Sequence, residues 1–137
     1  MQPYWPACPS KLGGQEMDEA RVRLSAMMGV DTDVLSFDPS TTQNTYVLSQ
    51  AFCQMLLPGD AIIVTNQDHE ANPDPWCRLQ EAGIKVRKWG LNPETDRLDI
   101  NELQRLLDDK IRLVCFPHCF NVIGEINSVS NIFKIVH

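Results

Sequence analysis

The chain has 137 residues, 43% of them hydrophobic, and a net charge of -6. That length suffices for one domain with one core, and the acidic balance argues against a nucleic-acid partner, whose phosphates select basic patches. No apolar run approaches the roughly 20 residues of a membrane span, and Met1-Gln2-Pro3-Tyr4-Trp5-Pro6 lacks the basic and apolar regions of a signal peptide, so a cytoplasmic location is expected.

Residues 1–14 carry three prolines and two glycines and read as an irregular segment. Helical spacing begins near Gln15, passes through Ala20, Leu24 and Met27-Met28, and stops at Gly29. The patterning then predicts strand 34–37, helix 42–56, strand 61–66, helix 71–82, strand 84–89, helix 99–108, strand 111–116 and helix 129–137. Pro58-Gly59 ends the second helix and Gly83 is placed to end the third. Asp99, with Glu102 three residues on, forms a capping-box-like start for the fourth. Alternation of strand and helix implies an α/β fold with a mostly parallel sheet and flanking helices. The five cysteines, Cys8, Cys53, Cys77, Cys115 and Cys119, show no framework spacing. Cys53 and Cys115 fall in apolar patterns, so a reducing compartment suits the set better than a disulfide scaffold.

Three strands run into polar loops. Ala61-Ile62-Ile63-Val64 reads as a strand buried on both faces, and Asp68-His69-Glu70-Ala71-Asn72-Pro73-Asp74-Pro75-Trp76 follows it. Val34-Leu35-Ser36-Phe37 leads into Asp38-Pro39-Ser40-Thr41-Thr42-Gln43-Asn44, and Leu113-Val114-Cys115-Phe116 into Pro117-His118-Cys119-Phe120-Asn121-Val122-Ile123-Gly124. Open α/β sheets bind ligands at the carboxyl ends of their strands. Ser40, Thr41 and Thr42 open a helix whose first N–H groups lack internal partners and whose dipole favours an anion. An ordinary Ser/Thr N-cap accounts for the same residues. A strand-end histidine is the plain alternative for His69, and a turn residue for Asn121. Trp76 reads as a packing anchor. Cys115, His118 and Cys119 are soft ligands within five residues, but no fourth accompanies them and Cys115 should point into the sheet, so no metal site is assigned.

A Thr-Thr pair, a His-x-Ala-Asn-x-x-Pro-Trp stretch and a His-x-x-Asn-x-x-Gly stretch, in that order, resemble the cofactor loops of class V aminotransferases, most closely the cysteine desulfurase-like branch. The resemblance spans roughly residues 14–137. It implies part of the large domain of a fold type I transferase that uses pyridoxal 5'-phosphate (PLP) and acts on an amino acid as a homo-oligomer. By resemblance Thr41 and Thr42 hold the cofactor phosphate, His69 stacks on the ring, Asn121 hydrogen-bonds the ring oxygen and His118 has a supporting place. Ser40 and Asn44 stand where relatives carry glycines, which bears on the backbone path of the phosphate cup. The family's Schiff-base lysine, its pyridinium-binding acid and the desulfurase cysteine come from later segments. None of Lys11, Lys85, Lys88, Lys110 and Lys134 follows a strand on the site side, so no catalytic residue is assigned.

Residues 15–137 are therefore expected to be a partial PLP-binding large domain truncated before the catalytic lysine, and inactive in isolation. No strand is expected after the last helix, so one sheet edge should lie open and favour self-association. The alternative is a non-catalytic remnant or partner-binding module with the same fold.

Overall fold

The structure is a computed structural model that describes residues 11–137. The chain divides into two compact units, one ending at Asp38 and the other running Pro39–His137. In the first, helix α1 spans Lys11–Met28, four residues ahead of its expected start, so the end of the expected irregular segment is already helical. The rest of that segment lies outside the described residues. Gly29, at φ 68°, ends α1 in the left-handed conformation that glycine adopts without a side-chain penalty.

The expected strand 34–37 is not formed. Thr32–Val34 make a single 3-10 turn, and the residues after it pair with no strand among the described residues. Instead, Arg21 Nε donates to Leu35 O at 3.2 Å and its guanidinium lies 5.6 Å from the centre of the Phe37 ring. A quartet of strand-like composition becomes a strand only where a neighbour offers a ladder. Here a side chain takes up the carbonyl, and Val34 remains exposed.

The second unit is a βα array. Helix α2 (Thr41–Cys53) leads to β1 (Ala61–Thr65), α3 (Pro73–Cys77), β2 (Lys85–Trp89), α4 (Ile100–Leu106), β3 (Ile111–Cys115) and α5 (Val129–Val136). The sheet is fully parallel in the order β2-β1-β3, so the most apolar strand is central and every one of its residues is buried. The expected helix 71–82 splits into α3 and a 3-10 segment, Arg78–Ala82. Pro73 explains the late start: without an N–H, proline opens a helix readily but cannot continue one. Gly83 closes the segment at φ 83°, and Asp99 Oδ1 caps α4 by accepting from Asn101 N at 2.8 Å.

Successive β1 side chains serve two cores. Ile62 and Val64 face Trp76, Leu79 and Ile84, with Phe52 of α2 edge-on to Trp76. Ile63 faces Trp89, Leu103 and Ile132, beneath α4 and α5. The register with β3 slips between Ala61 and Ile62: Ala61 pairs with Ile111, and Ile62 with Leu113. Arg112 is the extra residue of this bulge, and its Nε donates to Asp60 Oδ1 at 3.1 Å. The slip lets Ile111 join the Ile63 core although Leu113, two residues on, joins the other.

Candidate functional site

The N-terminus of α2 and the loops after β1 and β3 meet at the carboxyl end of the sheet. Thr41, Thr42, His69, Asn72, His118 and Asn121 line one cavity of about 570 Å3. All four residues expected to hold a cofactor (Thr41, Thr42, His69 and Asn121) are thus brought together, and all four are exposed. Thr42 and His69 also line a neighbouring cleft of about 530 Å3, with Tyr46 and Arg78.

Each element is locally determined. Ser40 takes an extended conformation and its Oγ accepts from Gln43 N at 3.2 Å, which caps α2. The N–H groups of Thr41 and Thr42 precede any intrahelical bond and sit at the positive end of the helix. After β1, Asp68 Oδ1 accepts from His69 N at 2.7 Å and from Asn72 Nδ2 at 2.9 Å. The His69 ring is fixed in turn, because its Nδ1 accepts from Ala71 N at 3.1 Å. In the neutral ring the proton therefore sits on Nε2, leaving the ring face free.

The loop after β3 is a tight excursion. Phe120 N donates to Glu125 O and Gly124 N to Phe120 O, both at 2.8 Å, and Gly124 has φ 70°. Its base is held by Asn127, whose Nδ2 donates to Gln67 Oε1 at 2.7 Å and to Pro117 O at 2.8 Å. Gln67 is fully buried behind the His69 loop, so one amide pair joins the two loops. Sequence reasoning missed Gln67 and Asn127. The available signal was a glutamine three residues beyond a fully apolar strand, where a buried side chain needs a partner.

The Cys115-His118-Cys119 run does not converge. Burial pushes the Cys115 thiol up to about 12, with Asp68 adding in the same direction, and the side chain packs against the Ile62 core. His118 and Cys119 are both exposed and both line the cavity with Asn121, apart from the Cys115 thiol. Among the described residues no three His, Cys, Asp or Glu side chains are grouped to hold a metal ion. Among them, too, no lysine lines the cavity.

Residues 9–137 match the model of the aminotransferase class-V family. The chain belongs to that family. It is 35% identical over 122 residues to the aminotransferase-like protein FGM3 of Gibberella zeae, an alignment covering 88% of this chain and 30% of the relative. It is 34% identical over 121 residues to a cysteine desulfurase of Serratia proteamaculans, covering 86% of this chain and again 30% of the relative. The solved cysteine desulfurase CsdA of Escherichia coli superposes with a TM-score of 0.79 at 25% identity, over 98% of this chain and 34% of the other. The class V chain thus spans about a third of the length of the relatives it matches. Its α/β architecture is that of the fold type I enzymes, and one solved neighbour of this fold, a C-DES mutant, carries glycine covalently linked to the PLP cofactor.

Proposed function

We propose that residues 15–137 form the first part of the PLP-binding large domain of a cysteine desulfurase-like enzyme acting on an amino acid. The observation that carries this reading is the convergence of Thr41, Thr42, His69 and Asn121, from the N-terminus of α2 and the loops after β1 and β3, on one cavity. The donor set fits the cofactor. The hydroxyls and free N–H groups of the first turn of α2 suit a phosphate dianion. The His69 ring, held by Ala71 N, offers a flat face for a pyridine, and the Asn121 amide can pair with a ring oxygen.

PLP, when bound, supplies the electron sink for chemistry at the α-carbon of an amino acid. The chain's own residues bind and orient. Thr41 and Thr42 fix the phosphate end, His69 and Asn121 set the plane and rotation of the ring, and His118 supports Asn121 from the start of the same loop. No residue here takes the role of Schiff-base lysine or nucleophile, so catalytic residues are left unassigned and the chain by itself is read as inactive. Four described cysteines are free thiols, which supports a reducing, cytoplasmic setting.

A non-catalytic, partner-binding role is the second reading. It is favoured by the outer edge of β3, which pairs with no strand among the described residues, and by an apolar groove of about 590 Å3 between β3 and α5. Self-association through that edge is expected under either reading, and sedimentation across a range of concentrations tests it.

The test of the cofactor site is PLP binding followed by borohydride trapping and peptide mapping. Thr42→Ala should weaken binding about tenfold, the scale of one lost hydrogen bond to a charged group, and His69→Ala by about the same factor through loss of the stacking face. Trapped label should spread over the exposed Lys85, Lys88 and Lys110 without preference. Binding indifferent to both substitutions would remove the site. Stoichiometric labelling of one lysine, with turnover of an amino acid, would overturn the reading of inactivity.

A further inference from the structure

Asn72 stands at the N-cap of α3, yet its side chain caps nothing. The reason is local. Pro73 and Pro75 have no N–H to offer, and Asp74 N already donates to Glu70 O at 3.1 Å. The amide is thereby released for another task. Its Nδ2 donates to Asp68 Oδ1 at 2.9 Å, and its Oδ1 lies 3.2 Å from Thr45 Oγ1, one turn into α2. The Thr45 hydroxyl also lies 2.9 Å from Thr41 O, so its single proton is shared between the two acceptors. Turning the Asn72 amide end for end would set its oxygen against the Asp68 carboxylate, so the carboxylate fixes the orientation. The result is a continuous path from Thr41 through Thr45, Asn72 and Asp68 to the backbone of His69.

We propose that Asn72 is a positioning residue, which with Thr45 ties the His69 loop to the first turn of α2 and so sets the imidazole in register with Thr41 and Thr42. The inference builds on the cofactor reading, because register between those two groups matters most if one ligand must touch both. The tie itself is a property of the ligand-free chain. A network of this kind should behave as a unit, with strongly non-additive substitutions.

The experiment compares the unaltered chain with Thr45→Val, Thr45→Ser, Asn72→Ala and the pair Thr45→Val/Asn72→Ala. The first readout needs no ligand: the ring 15N resonances of His69, which report where the ring proton sits. They should show the Nε2–H form in the unaltered chain and in Thr45→Ser, which keeps the hydroxyl. In Thr45→Val and Asn72→Ala they should move toward averaging of the two nitrogens, as the Ala71 N–H contact loosens. Unchanged amide signals from Ile62 and Ile63 establish that the core is intact, and Thr45→Val, close in shape to threonine, keeps the test open if Asn72→Ala fails to fold. The second readout is PLP affinity, expected to fall about fivefold in either single variant and no further in the pair, as for two residues in one network. His69 resonances unaltered in both single variants would overturn the proposal whatever PLP does. Resonances that shift in a chain that binds no PLP would uphold the tie and count against the cofactor reading alone.

Discussion

Replacing Trp89 with alanine is expected to cost about 3–5 kcal/mol, the range for truncating a large buried aromatic side chain. Trp89 ends β2 with no solvent exposure, in one core with Ile63, Leu103 and Ile132, and meets Phe116 edge-on at 6.3 Å. Its indole Nε1–H donates to Asp99 O at 2.8 Å, which fastens the strand to the start of α4. The same carbonyl also accepts from Glu102 N and Leu103 N, so loss of the indole donor does not orphan it. Most of the penalty should therefore come from the void. Trp89→Phe, which keeps a ring and loses the N–H, should cost much less than Trp89→Ala. Denaturant unfolding followed through the remaining tryptophans checks this, and equal midpoints for the two variants would show that the hydrogen bond, not the volume, carries the effect. Small domains are stable by only about 5–15 kcal/mol, so Trp89→Ala should consume a large part of the margin.

The second large effect is expected at Asn127, and it reaches the site. Asn127→Ala leaves Gln67 Oε1 and Pro117 O without their donor, in a region where Gln67 Nε2 and Thr65 Oγ1 already lack partners. Each buried acceptor left unpaired costs about 1–3 kcal/mol. The Asn127 amide must present its nitrogen to Pro117 O, so Gln67 has to answer with oxygen, and no other orientation of the pair satisfies both contacts. Without this clamp, the excursion that carries His118 and Asn121 is held mainly by its own short hydrogen bonds. Hydrogen exchange at Phe120, Gly124 and Asn127 should accelerate more than exchange at Ile62 and Ile63. Converting both partners, as in Gln67→Met with Asn127→Leu, should cost less than the two single changes together, because neither then leaves the other stranded. A uniform rise in exchange across the whole unit would instead mark Asn127 as a general stability residue with no particular hold on the loop.

Much of this architecture is legible in the sequence. The run Ala61 to Val64 announces a strand buried on both sides, and it lies at the centre of the sheet. Gly29, Gly83 and Asp99 mark element ends through conformational and capping preferences that operate over a few residues. The convergence of His69 and Asn121 follows from parallel topology, which puts the loops after successive strands on the same side, and Thr41 and Thr42 join them at the N-terminus of α2, the helix that leads back to β1. What escaped depends on contacts distant in sequence. Val34-Leu35-Ser36-Phe37 has strand-like composition, but pairing needs a neighbour, and only the folded chain shows that Arg21 engages the segment instead. The Gln67–Asn127 amide pair joins residues sixty positions apart. The release of Asn72 from capping depends on where Pro73 and Pro75 fall in a helix whose start is read two residues early.

The bulge at Arg112 has a consequence for how freely the length of this chain can change. Strands buried on both faces normally tolerate no insertion or deletion, because one residue more or less turns every later side chain to the wrong side. Here the extra residue is already present. Deleting Arg112 would let Ile111 and Leu113 follow one another in plain alternation, with Ile111 still beside Ile63 and Leu113 still beside Ile62. The chief loss would be the Arg112 hydrogen bond to Asp60, whose side chain is only 12% exposed, and a hydrogen bond to a charged group contributes about 1.5–3 kcal/mol. A one-residue gap at this point is expected to leave the unit folded, whereas the same gap at Val114 should abolish it, and circular dichroism of the two deletions tells them apart. The sheet thus carries a slack position, at which the chain can shorten by one residue without its core being rebuilt.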